Sequence, residues 1–233
     1  MTVDRVVVVT GANRGIGFEL CRQLVAAADT VVLGSRDLEA GERAAAALPD
    51  EGGTVIARHL DVRDQRSLDD LAAELRKTHG RVDVLVNNAA IHYDTWQRAA
   101  GADLDVVAEA LDTNLLGAWR ATNTLLPLLR ASGRGRIVNV SSEGGSLASM
   151  GGGTPAYSSS KVALNALTRM LADELRSDRI LVNSVCPGWV ATDMGGPGGR
   201  PVADGAASVR WAVDLASDGP TGGFFRDGRP VPW

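Results

Sequence analysis

The feature that most constrains the fold is a set of short β-branched runs that are apolar on nearly every residue. "VVVV", "TVVLG", "VDVLV" and "RIVNV" read this way, and a strand with no polar face must be covered on both sides. Strands are expected at Arg5–Thr10, Thr30–Leu33, Thr54–Leu60, Val82–Val86, Arg136–Ser141 and Ile180–Val185, each bounded by Gly, Asp, Asn or Pro. Helical periodicity fills the intervals at Ile16–Ala27, Leu38–Leu48, Ser67–Thr78, Leu104–Ala131, Tyr157–Ser177 and Asp204–Ser217. Strands alternating with helices imply right-handed crossovers. The expected fold is therefore α/β, a single Rossmann-type domain over residues 1–233, with a doubly wound parallel sheet flanked by helices on both faces. "GGPGGRP" (Gly195–Pro201) reads as a flexible interruption.

Composition narrows the partners. The chain has 233 residues, 45% hydrophobic and 22% charged, which suits one packed domain. Its formal net charge is −4 and no basic block occurs, so neither nucleic acid nor a membrane is an expected partner. A small molecule is. Cys21 and Cys186 stand far apart in apolar contexts, as free buried thiols do in a reducing cytoplasm. The N-terminus enters a short valine run directly, so no signal peptide is expected, and no run is long enough to span a membrane.

In an open parallel sheet, ligands bind beyond the carboxyl ends of the strands. The first such end reads "TGANRGIG", Thr10 to Gly17. Gly11 permits a tight turn, while Gly15 and Gly17 let a helix N-terminus approach a diphosphate. The alternative is glycines that only turn the chain and pack helix on strand. At the end of the second strand, where an acidic residue would bind the ribose hydroxyls of NAD, stand Ser35 and Arg36. A guanidinium there fits a 2′-phosphate, with Arg14 as a second positive charge, and so favours NADP(H). Asp37 follows directly and argues the other way, and a surface arginine that merely caps a turn is the plainer reading.

"VSSEGGSLASMGGGTPAYSSSK", Val140 to Lys161, sets Tyr157 four residues ahead of Lys161. At that spacing both project from one helix face. The pair is either an ordinary surface contact or a means of making a phenol exchange protons near neutral pH. "SSSK" also satisfies the S-x-x-K nucleophile motif, but the S-D-N and K-T-G elements that accompany it are missing.

Taken together, "TGANRGIG", "LDVRD" (Leu60–Asp64), "NNAA" (Asn87–Ala90) and "CPGWVATDM" (Cys186–Met194) resemble, in order and position, the motifs of the short-chain dehydrogenase/reductase family over nearly the whole chain. "SRD" after the second strand, "CPGWV" and the tail "GPTGGFFRDGRPVPW" look most like its carbonyl-reductase-like members, which prefer NADPH. The resemblance implies a catalytic set of Asn114, Ser142, Tyr157 and Lys161, with Ser141 an open alternative to Ser142. Tyr157 would give its proton to a carbonyl oxygen, its pKa lowered by the ammonium and by an oxidised nicotinamide. Ser142 would donate a hydrogen bond to the developing alkoxide, and Asn114 would disturb its helix and link a water chain to the lysine.

The same resemblance implies a cofactor site of Gly11, Asn13, Arg14, Gly15, Ile16, Gly17, Ser35, Arg36, Asp61, Val62, Asn88, Ala89, Pro187, Gly188, Val190 and Thr192, with Tyr157 and Lys161 beside the nicotinamide. His92, Tyr93, Trp96, Trp189 and Met194, with Met150, are candidate substrate contacts, and packing is an equal alternative for each. The three histidines show no metal-ligand spacing, so no metal is expected. The implied activity is NADPH-dependent reduction of an aldehyde, ketone or quinone to an alcohol; the alternative is a non-catalytic NADP(H)-binding regulator of the same fold. Leu111, Leu115, Trp119 and Leu126 in one long helix, and Leu164, Leu167, Met170 and Leu171 in another, put apolar residues on more than one face. A homodimer or homotetramer is expected from that second face, since many relatives pair these helices across a two-fold axis and the segment Glu143–Ala156 is too short to cover it.

Overall fold

Valines placed on both sides of one strand build the centre of the molecule in the computed structural model, which describes residues 5–49 and 52–233. The expectation of no signal peptide rests partly on residues 1–4, which lie outside the described residues. Strand β1 (Val6–Val9) is buried along its whole length. Val6 and Val8 enter one apolar cluster and Val7 and Val9 the other, as the two-residue period of a strand requires.

Among the described residues one sheet runs in the order β3-β2-β1-β4-β5-β6-β7-β8. Its members are β2 (Thr30–Ser35), β3 (Thr54–His59), β4 (Val84–Asn87), β5 (Arg136–Val140), β6 (Leu181–Val185), β7 (Phe224–Arg226) and β8 (Arg229–Pro230). Helices α1 (Gly15–Val25), α2 (Leu38–Ala46) and α7 (Val202–Val213) supply the cluster on one face. Helices α3 (Gln65–Thr78), α5 (Ala118–Ser132) and α6 (Pro155–Glu174) supply the cluster on the other. The order reverses between β1 and β4, and the crevice outside that reversal is where such a sheet binds its ligand.

The structure departs from the expected elements in four places. The tail forms β7 and β8, paired antiparallel through a turn at Asp227 and Gly228, whose φ values of 51° and 74° are both positive; Asp-Gly suits that hairpin turn. Helix Leu104–Ala131 is divided into α4 (Leu104–Leu111) and α5 by a π-helical turn over Asp112–Gly117. The cause is tertiary: Asn114 is tied to the backbone of Ile91, and a Cβ on Gly117 would stand 2.6 Å from Val62 Cγ2.

The stretch Gly195–Pro201 is a closed turn, with Ala191 donating to the Arg200 carbonyl and Arg200 to that of Trp189. Finally, of the apolar residues named on the faces of the two long helices, most cover the sheet. Leu164, Leu167 and Leu171 are buried, and Leu115 and Leu126 pack on the same cluster.

Because Leu167 is 1% exposed on the core face of the helix that carries Tyr157, Leu167→Ala should lower unfolding stability by about 2–5 kcal/mol through lost burial and a residual cavity. Denaturant unfolding checks this.

Candidate active site

Helix α6 begins with Thr154 as its N-cap residue and Pro155 inside its first turn. That start puts Tyr157 in the first turn and Lys161 one turn further along the same face. Lys161 Nζ lies 5.4 Å from the Tyr157 ring centroid and donates to the Val140 carbonyl at 2.8 Å. The bond ties the helix to the carboxyl end of β5.

A cavity of about 240 Å³ opens at this end of the sheet. Tyr157, Ser142 and Tyr93 line one side, and Trp189, Thr192 and Met194 another. The two candidate serines differ in placement. Ser142 lines the cavity beside Tyr157 and its Oγ accepts from the Gly144 N–H at 3.1 Å, whereas the Ser141 hydroxyl is buried without a partner. Tyr93 meets Tyr157 edge-on, with ring centroids 5.2 Å apart, the geometry favoured by the ring quadrupoles.

Asn114 occupies the π-helical turn and bonds Ile91 in both directions. It accepts from the Ile91 N–H at 2.8 Å and donates to the Ile91 carbonyl at 3.1 Å and to Ser160 Oγ at 2.9 Å. Ser160 in turn donates to the Tyr157 carbonyl at 2.7 Å. The disturbed helix is present, and Asn114 reaches the catalytic helix through Ser160.

Burial opposes the expected lowering of the phenol's pKa. It is the largest influence on Tyr157 and pushes the phenol above its ordinary value of 10, while the Ser142 hydrogen bond pulls it down. Burial also pushes Lys161 down from 10.5 to about 8, with Cys186 acting weakly the other way. The physical reason is the same for both: a low-dielectric site disfavours phenolate and ammonium alike.

The cofactor candidates form one continuous groove. Helix α1 starts without any side-chain cap, so its first backbone N–H groups remain available to an anion. Gly15 has a φ of +57° and faces Thr192 across the groove. A Cβ on Gly17 would stand 2.5 Å from Asn88 Nδ2, so this position packs strand against helix. Arg36 is exposed just beyond β2. The rival Asp37 accepts from the Ala40 N–H at 3.0 Å and caps α2. These features fit a dinucleotide with a 2′-phosphate.

Several of the predicted residues also have partners within the chain. Ser35 is buried and donates to the Asp37 carbonyl at 2.7 Å. Arg14 reaches Asp193 at 3.1 Å, across the groove from its own loop. Asn88 Nδ2 donates to the carbonyls of Thr10 and Gly11 and so holds the glycine loop. Asp61 accepts from the Arg63 N–H, Val62 packs on Gly117, and Val190 packs on Gly205. His92 pairs with Glu109 at 2.7 Å, and neither it, Trp96 nor Met150 lines the cavity.

Sequence reasoning missed Glu143, Gly144, Cys186 and Gly195, which do line it. Cys186 Sγ accepts from the Glu143 and Gly188 N–H groups at 3.3 Å each. The signal for Glu143 and Gly144 was adjacency to Ser142. Among the described residues no group of three His, Cys, Asp or Glu is placed to hold a metal ion.

A switch-point groove on a doubly wound sheet, with a phenol lining its cavity and a buried lysine beside that phenol, defines a dinucleotide-binding α/β domain with the groups for acid–base chemistry. The profile of the short chain dehydrogenase family matches residues 5–200. The chain belongs to that family. It is 35% identical to "Carbonyl reductase [NADPH] 1" of Sus scrofa over 280 residues, covering 98% of this chain and 94% of the relative. Its fold superimposes on the NADPH-bound carbonyl reductase from chicken fatty liver with a TM-score of 0.86 at 27% identity, covering 99% of each chain. It superimposes on salutaridine reductase from Papaver somniferum with a TM-score of 0.85 at 30% identity, covering 96% of this chain and 99% of that one.

The Lys161 shift has a definite sign. Its folded value of about 8 lies below the ordinary 10.5, so between those pH values the unfolded chain holds the proton and the folded chain does not. Stability then rises with pH through that window. From pH 8 to 10.5 the wild type should gain on Lys161→Met by on the order of 3 kcal/mol. Denaturant unfolding of both proteins across the window reads the difference.

Proposed function

We propose that this chain reduces the carbonyl group of an aldehyde, ketone or quinone with an apolar flank to an alcohol, using NADPH. The observation that carries the reading is the convergence of Tyr157 and Ser142 on one cavity, with Lys161 buried beside the phenol. NADPH, when bound, supplies the hydride. Tyr157 Oη then gives its proton to the substrate oxygen as charge develops there, and Ser142 Oγ donates a hydrogen bond to the same atom. Lys161, in its ammonium form, favours phenolate in the reverse direction and holds the nicotinamide ribose.

For the cofactor, the first N–H groups of α1 hold the diphosphate and Arg36 the 2′-phosphate. Asp61 keeps its second carboxylate oxygen for the adenine amino group. The names of relatives specific for NADPH support the same choice. Tyr93, Trp189 and Met194 are exposed at the cavity mouth and flank the carbonyl's apolar substituents. Met150 is exposed away from that lining, and Trp96 and His92 take no part.

The compartment is the cytoplasm, a reading supported by two free buried cysteines. Among the described residues no helix is long and apolar enough to cross a membrane. The assembly is a homodimer or homotetramer, on a smaller surface than the sequence suggested. Leu116, Trp119 and Met170 remain 40%, 38% and 53% exposed on the π-helical turn, α5 and α6, and pairing with a second copy would cover them.

NADPH oxidation with a carbonyl panel tests the activity; binding without turnover of any carbonyl would favour the regulator. Tyr157→Phe should keep NADPH affinity while turnover falls roughly 10²–10⁴-fold, the usual contribution of a general acid; full activity would sink the mechanism. Arg36→Asp should weaken NADPH relative to NADH by about tenfold, less than a fully desolvated ion pair because Arg36 is exposed. Fluorescence titration with both nucleotides measures that ratio. Light scattering at micromolar concentration should give a multiple of 24.4 kDa, and the monomer mass would refute the assembly.

A further inference from the structure

Asp94 is a fully buried carboxylate, 0% exposed, and among the described residues it forms no ion pair. Its charge is met instead by the start of helix α6. Oδ2 accepts from the Ala156 N–H at 2.9 Å and Oδ1 from the Tyr157 N–H at 3.0 Å. Gln97 Nε2 completes the set, donating to Oδ2 at 3.1 Å.

A helix start leaves its first N–H groups without intrahelical partners, and a neighbouring Ser, Thr, Asp or Asn ordinarily accepts from them. Thr154 cannot do so here. It stands in the left-handed region, φ 48° and ψ 51°, caps nothing with its side chain, and bonds Ser158 Oγ at 2.9 Å instead. Pro155 has no N–H. Ala156 and Tyr157 therefore hold the orphan donors, and one carboxylate sixty-odd residues upstream takes both. The positive end of the helix dipole favours that charge.

The placement has a consequence for the chemistry. Asp94 follows Tyr93, whose ring abuts the Tyr157 ring, in the segment that begins with Asn88 and Ala89 at the cofactor groove. One short segment thus grips Tyr157 by its backbone and by its ring. Gln97 stiffens the grip, since its Oε1 accepts from the Asp103 N–H at 2.6 Å. We infer that Asp94 is a positioning residue for the proton donor: it caps the catalytic helix from the cofactor side of the cleft and so fixes Tyr157 against the groove. A misplacement of about 1 Å can cost roughly 10² in rate.

The inference rests on Tyr157 being the acid, so Tyr157→Phe is run in parallel. If that variant keeps full turnover, the reading of Tyr157 fails; if it is inactive, the Asp94 variants are judged by themselves. Asp94→Asn keeps one acceptor oxygen and Asp94→Ala keeps none. Turnover per NADPH-binding site, counted by titration, should fall about tenfold or more in Asp94→Ala, with Asp94→Asn intermediate. The solvent deuterium isotope effect on kcat should rise in both, because the proton transfer becomes slower, while NADPH affinity stays within about threefold. A merely structural role would lower the number of binding sites and leave the isotope effect and per-site kcat at their wild-type values. If the alanine variant does not fold, Asp94→Asn decides: full NADPH stoichiometry with wild-type kcat and isotope effect overturns the proposal.

Discussion

The bond from Lys161 Nζ to the Val140 carbonyl, 2.8 Å long, joins the longest helix of the chain to the centre of its sheet. The ammonium is 2% exposed, and a buried charge is costly unless hydrogen-bonded. Its position is therefore fixed by the carbonyl, and the helix must follow. Tyr157 stands one turn earlier, so anchoring the lysine sets the phenol's height above the end of β5. The neighbouring residue on β5's outward path is the serine pair, of which Ser142 turns into the cavity.

A second constraint holds the other side of the cleft. The chain that leaves β4 meets the glycine loop through Asn88, the π-helical turn through Ile91, and helix α6 through Asp94. Asn114 and Ser160 close a path from Ile91 to the Tyr157 carbonyl. Cofactor groove and acid–base site are thus linked by short hydrogen bonds between buried or half-buried groups. Such polar networks specify geometry strongly when their members are satisfied. The same burial raises the phenol's pKa and lowers the ammonium's, so rigidity and acid–base function pull in opposite directions here.

The strands and the cleft were legible because their causes are local. A strand covered on both faces must be apolar throughout, and the valines of β1 divide between two cores as that rule demands. The Tyr157–Lys161 pair and the glycine loop carry their geometry in their spacing. The π-helical turn was legible only through the family resemblance, which implied that Asn114 disturbs its helix; periodicity missed it, since it depends on a bond between Asn114 and Ile91 that no local pattern records. Asp94 is hidden for the same reason: the backbone donors it takes lie at Ala156 and Tyr157. Periodicity marks an apolar residue without saying which neighbour covers it, so only the structure separates Leu164, Leu167 and Leu171, which face the core, from Trp119 and Met170, which stay exposed. The hairpin at Asp227 and Gly228 did carry an Asp-Gly signal, on strands too short to stand out.

The central claim is that Tyr157 is a half-buried phenol at the cavity, its pKa held above the ordinary value by desolvation, and that a cationic nicotinamide bound beside it would favour the phenolate. The chain has two tyrosines, Tyr93 and Tyr157, so a Tyr93→Phe protein leaves a single phenol to titrate by ultraviolet absorbance. Without nucleotide, its midpoint should lie above the ordinary tyrosine value of about 10. Saturation with NADP⁺ should bring it down by about one unit or more, as a cation placed within a few ångströms does. A midpoint that NADP⁺ leaves unmoved would contradict the account.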